Sequence, residues 1–332
     1  MTRLPPLPPS LRIAPFTYAD GLTAGATPRR LRGRDLAAPF RGVRSPAQLT
    51  SIIDLAAAYA VGMPDDQYFS HLTAAQLLGL RMPEGFYLVA LHVTSVRPKR
   101  APRAHRVVGH QSPGVLTVDV GGLQVSNPVD TWLDCAAFLG VDDLIVMGDG
   151  LASRKDPVAT LQQLTDAVRS RGRARGHTRL VLALVEMRAR TDSARESMLR
   201  LILMRAGLPE PELNGAIVNE FGVTVAHSDL VFRDFLTVVE YDGGQHRLDD
   251  VQFDIDIERL DAIMAEGWRV IRVGKKLMRR RAILLPKVAT ALTAGGWVPA
   301  AASARVPASA SASASASASA SASAPGLPDR HS

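Results

Sequence analysis

The chain of 332 residues and 35.6 kDa has the length for two or three domains. At 46% hydrophobic and 21% charged it can bury a core, which excludes a disordered chain. Lys and Arg total 39 against 32 Asp and Glu, a net charge of +7 that points to an anionic partner such as nucleic acid or a membrane surface. A lone cysteine, Cys135, excludes intrachain disulfides and any zinc site built on two thiolates.

The first twelve residues are proline-rich without an apolar centre and do not read as a signal peptide. The most apolar run, 282–304, is broken by Pro286, Lys287, Pro299 and two glycines, so no membrane span is expected. A cytoplasmic location follows as the expectation. Residues 1–60 read as a small DNA-binding unit. Phe16 to Leu22 is a helix, Thr27 caps a second helix over Pro28 to Leu36, and Pro39 to Arg44 resembles the short ribbon of a winged helix. Arg29, Arg30, Arg32 and Arg34 on that second helix, with Arg41 and Arg44 on the ribbon, suit phosphate contact and groove docking.

Residues 61–175 read as a mixed α/β region. It comprises a helix over 69–80, an apolar strand or two over 86–96, strands flanking Gly121-Gly122, and a helix from Pro128 to Leu139 with Cys135 as a core thiol. Arg97 to Arg106, five cations with no acid, is either a phosphate-contacting loop or a basic linker. Arg169 to Arg175 reads as an exposed hinge.

Residues 185–297 carry the chemistry. Ser193 to Ala206 is an amphipathic helix with Leu199, Ile202, Leu203 and Ala206 on one face, and Ser193 with Glu196 fits a capping box. Strands follow over 216–226, 229–233 and 236–241, then a helix over 254–266 and a strand over 268–273, an α+β pattern. Net charge reverses here: residues 196–274 hold 7 basic and 15 acidic residues. Glu240 and Asp242 lie two apart at the end of an apolar strand and so share a face. A four-residue loop over 233–236 places Asp229 directly opposite Glu240, a repulsion that a divalent cation would relieve. A turn at Asp242-Gly243-Gly244 accounts for Asp242 without a metal, but not for Glu240. His246 is a metal ligand, a general acid or a loop cap. The Ala-Ser alternation over 308–324 reads as a disordered tail spanning 298–332.

These residues resemble a known family. Asp229-Leu-Val-Phe, Glu240-Tyr-Asp242-Gly-Gly-Gln-His246, Gln252-Phe253, Asp256, Arg259 and Gly267 to Arg272 are similar to the domain-of-unknown-function 559 family. That family is related to very-short-patch-repair endonucleases of the PD-(D/E)xK restriction-endonuclease-like fold. The likeness covers about 190–285. A weaker one, in Leu31 to Arg34 and Phe40 to Val43, is to the winged helix of AbiEi-type antitoxins, and 122–149 is similar to the middle segment of such proteins.

The resemblance implies a Mg²⁺- or Mn²⁺-dependent endonuclease acting on DNA. Asp229, Glu240 and Asp242 would hold the metal, and His246 and Glu196 would complete the catalytic set, with Arg259 near phosphate. Ser228 stands where the motif often has Pro. Asp242 stands where many members have Lys, although the short-patch-repair branch also lacks it. The alternative implied is an antitoxin-like regulator with a vestigial nuclease fold and a toxin or defence-system partner.

Overall fold

Short polar side chains decide where many of the helices begin. In the computed structural model, which describes residues 5–243 and 250–299 (of 250–256 the backbone alone), β1 (Phe16–Thr17) runs into α1 (Tyr18–Thr23) through a capping box of Thr17 and Asp20. A single 3₁₀ turn, Arg30–Arg32, stands where a second helix is expected. Thr27 does accept the Arg30 N–H as a cap, at 3.2 Å. The chain then turns back: Gly33 is extended, and Arg30 clasps Asp35 at 3.1 and 2.7 Å. The ribbon is present, β2 (Val43–Arg44) pairing antiparallel with β1.

The middle region opens with α2 (Ile52–Ala60), capped by Ser51 and Asp54, followed by β3 (Gln67–Phe69), α3 (His71–Leu77), β4 (Leu91–Val96), β5 (Val107–Ser112), β6 (Thr117–Val120) and β7 (Leu123–Ser126). Gly121 and Gly122, both at positive φ, make the expected two-residue turn between β6 and β7. The sheet order is β5-β4-β3-β7-β6. A helical layer follows: α4 (Pro128–Cys135), α5 (Val141–Leu151), α6 (Leu161–Arg171) and α7 (His177–Glu186). Its core includes Trp132, Ile145, Leu164 and Leu180, with Cys135 fully buried among them and its thiol pushed up by burial. Asn127 caps α4 by accepting the Val129 and Asp130 N–H groups. Asn127→Ala is expected to cost about 1 kcal/mol in urea unfolding, with the slope unchanged.

The stretch read as a hinge connects α6 to α7 and is partly tied down, Arg171 pairing with Asp134 at 2.5 Å. The passage into the last region is α8 (Ala194–Arg205). It is not amphipathic as expected. Leu199, Ile202 and Leu203 face the following sheet, Leu201 packs into the helical layer, and Ala206 is exposed.

That sheet, of order β11-β10-β9-β8, is formed by β8 (Glu212–Val218), β9 (Thr224–Phe232), β10 (Thr237–Asp242) and β11 (Arg269–Gly274), with α9 (Asp250–Ala265) between the last two. Two strands are redrawn relative to the sequence reading, because Asn219 to Gly222 turn the expected 216–226 strand back on itself. α8 with α11 (Arg281–Ala294) covers one face, and α9 covers the other; α10 (Lys275–Arg279) links β11 to α11. The described residues up to Val298 pack as one unit, an α+β architecture. No described helix is long and apolar enough to cross a membrane.

Candidate functional site

The centre of the last sheet carries the acids. β10 pairs with β9 through Val239↔Leu230, so Asp229 and Glu240 are the next positions along the two strands, as the expected loop requires. The loop is a 3₁₀ turn, Arg233–Phe235, with Leu236 at φ 44°. The two side chains are not opposed, however. Ala226 packs on the α9 side with Val238 and Ile263, whereas Leu230, four residues on, packs on the α8 side with Leu199 and Val239. The alternation therefore slips by one between them, next to Asn214 of β8, whose φ of 47° lies in the left-handed region. Ser228, rather than Asp229, meets Glu240, donating its hydroxyl to Oε1 at 2.8 Å.

Arg259 of α9 grips Glu240 from the same side, Nη1 to Oε1 at 2.6 Å and Nη2 to Oε2 at 3.0 Å. In this arrangement Arg259 is a partner of the acid, not a free phosphate contact. The Asp229 carboxylate turns to accept the Tyr241 N–H at 2.8 Å. Burial pushes it up to about 7; Glu196 and Glu240 add like-charge repulsion, against the Tyr241 N–H and Arg259.

Glu196 joins this cluster from α8. Ser193 accepts its N–H at 3.2 Å, but its carboxylate does not close the capping box. Buried, it accepts instead the Asp192 N–H at 2.8 Å and Asn214 Nδ2 at 3.0 Å. Asp242, at the end of β10, pairs with Arg272 Nη2 at 3.0 Å. His246 lies outside the described residues. Asp229, Glu240 and Glu196 are thus gathered within electrostatic reach. They suit a hard cation such as Mg²⁺, which needs only one or two carboxylates beside water and phosphate oxygens.

The arginines of the N-terminal unit divide. Arg30 is buried against Asp35, and Arg44 donates to the Leu31 and Val43 carbonyls while lying 5.4 Å over the Tyr18 ring. Arg29, Arg32 and Arg34 are exposed and line a surface cleft of about 670 Å³ with Thr27, Pro28 and Gly33. A second cleft, about 650 Å³, is lined by Arg41 and Arg44 of the ribbon together with Arg103 and His105. Two basic segments some sixty residues apart in the chain thus share one surface.

A further group escaped the sequence reading. His71, His92 and His110 bring one ligand atom each within 4.8 Å of one another, the one such group of three among the described residues. The signal was available: His92 sits inside the apolar run Leu91 to Val96, as Glu240 sits inside its own strand. No family model, curated protein or solved structure matches this chain.

Proposed function

We propose that the chain is a divalent-cation-dependent nuclease acting on DNA. The observation that carries this reading is the half-buried Asp229 carboxyl beside Glu196 and Glu240, where a cation would offset the desolvation and repulsion that otherwise favour protonation. A sheet with helices on both faces is compatible with a restriction-endonuclease-like fold. Asp229 and Glu240 would hold Mg²⁺ or Mn²⁺, with Asp242 as a further ligand. Bound there, the ion supplies a Lewis acid for the scissile phosphate and lowers the pKa of an attacking water. Alternatively Asp242, which pairs with Arg272, would orient the water instead of holding the ion, and His246 would serve the leaving oxygen. The arginine-lined clefts of the N-terminal unit hold duplex phosphates, as a winged helix would.

The test is plasmid DNA incubated with Mg²⁺ or Mn²⁺. Wild type is expected to nick or cleave it, and Asp229→Asn to fall to background. Intact plasmid with wild type overturns the reading.

One observation favours the second reading, a non-enzymatic DNA-binding regulator with a toxin or defence-system partner. Both Glu240 oxygens are already engaged by Arg259. That reading predicts retained DNA binding without cleavage. Both readings require phosphate contact at the clefts, so Arg41→Ala should weaken binding across sequences and lower the salt slope by about 1. A gel-shift series in KCl measures it.

A further inference from the structure

We propose that His71, His92 and His110 form a site for a divalent transition-metal ion of the zinc class, independent of the acidic cluster. The three come from separate elements. His71 opens α3, His92 lies on β4, and His110 lies on the parallel neighbour β5, two positions along from the residue paired with His92. His92 Nδ1 and His110 Nε2 face each other at 3.0 Å. Two imidazole nitrogens at that distance share either a proton or an ion. Tetrahedral zinc with nitrogen ligands separates them by about 3.3 Å, so an ion needs only a small opening.

The surroundings support a ligand role. His71 has φ 51°, a left-handed conformation that costs a non-glycine residue energy and is found preferentially where function holds it. Its Nδ1 lies 2.8 Å from Ser70 Oγ, which is itself 2.7 Å from Thr94 Oγ1, and 3.7 Å from Asp134 Oδ2. Such outer hydrogen bonds and carboxylates orient metal-bound imidazoles. Arg171 fixes Asp134 in turn. Phe138 presents itself edge-on to all three rings at centroid distances of 4.8–6.1 Å.

His71 and His110 are stacked at 3.7 Å with planes 18° apart, so loading requires the His71 ring to turn out of the stack. Three nitrogen donors select borderline ions such as Zn²⁺ or Co²⁺ over Mg²⁺ and leave a fourth position for water or a substrate atom.

The test uses the untagged full chain, stripped of metal and titrated with Co²⁺ alone. Wild type is expected to develop the visible absorption of four-coordinate Co²⁺, saturating at one equivalent and bleached by Zn²⁺. His92→Gln and His110→Gln are each expected to weaken the affinity read from this band at least tenfold. A wild-type titration without the band overturns the proposal, and so does a band of wild-type affinity in His92→Gln. Should a variant unfold, wild type alone decides: its thermal midpoint must rise with Zn²⁺ over chelator. An unmoved midpoint refutes the site.

Discussion

Asp149→Ala should destabilise the protein by about 3–5 kcal/mol, the largest loss expected from removing one polar side chain. Asp149 on α5 and Arg200 on α8 are both without solvent exposure and meet at 3.1 Å. The carboxylate also accepts the Arg188 N–H at 2.7 Å, and the guanidinium donates to the Glu186 carbonyl at 2.8 Å. Truncating the acid leaves a buried cation without its counter-charge. Replacing both partners by apolar residues of similar size, Asp149→Leu with Arg200→Met, should recover most of the loss, because neither charge then needs desolvation. Urea unfolding of the two single variants and the double variant measures this. A loss below about 1 kcal/mol for Asp149→Ala would mean that water reaches the pair. The same burial keeps Arg200 out of reach of any phosphate.

Asp229→Asn should change stability in the opposite direction above neutral pH. The Asp229 carboxyl is raised from 3.8 to about 7 by burial first and by Glu196 and Glu240 after it. A raised folded-state value means that its contribution is fully present below about pH 3.8 and is lost as pH rises through about 7. The displacement is worth at most about 4 kcal/mol. Asparagine keeps an oxygen for the Tyr241 N–H and carries no charge. It should therefore gain roughly 1–3 kcal/mol over wild type at pH 8, and nothing at pH 4. Thermal melts of both proteins across that range, without divalent cations, check the sign. Equal melting profiles would show that Asp229 is ionised at no cost. The expected gain would instead mark Asp229 as an acid that the fold tolerates only for what it binds.

The residues that were legible in the sequence are those whose signal is local. Ser193 sits at a helix start because a short acceptor there satisfies N–H groups that the helix leaves unpaired. The Gly121-Gly122 turn and the 230–239 register follow from turn chemistry and strand period. What the chain did not disclose depends on non-local partners. Thr27 and Pro28 announce a helix, yet Arg30 is drawn to Asp35, and Gly33 ends the segment after one turn. The apolar face of α8 was visible, but its second buried face depends on Asp149, 51 residues away. Direct opposition of Asp229 and Glu240 assumed an unbroken alternation, which the irregularity beside Asn214 interrupts. The histidine group joins residues 71, 92 and 110 through a parallel strand pair and a left-handed residue, neither of which has a spacing rule.

The double-sided burial of α8 has a consequence for cooperativity. Leu199, Ile202 and Leu203 belong to the sheet's core, while Leu201 and Arg200 belong to the helical layer. A segment cut at 185–297 would expose Leu201 and leave Arg200 without its acid, so the acid-bearing sheet is not a detachable cassette. Heat or denaturant should melt both layers in one transition.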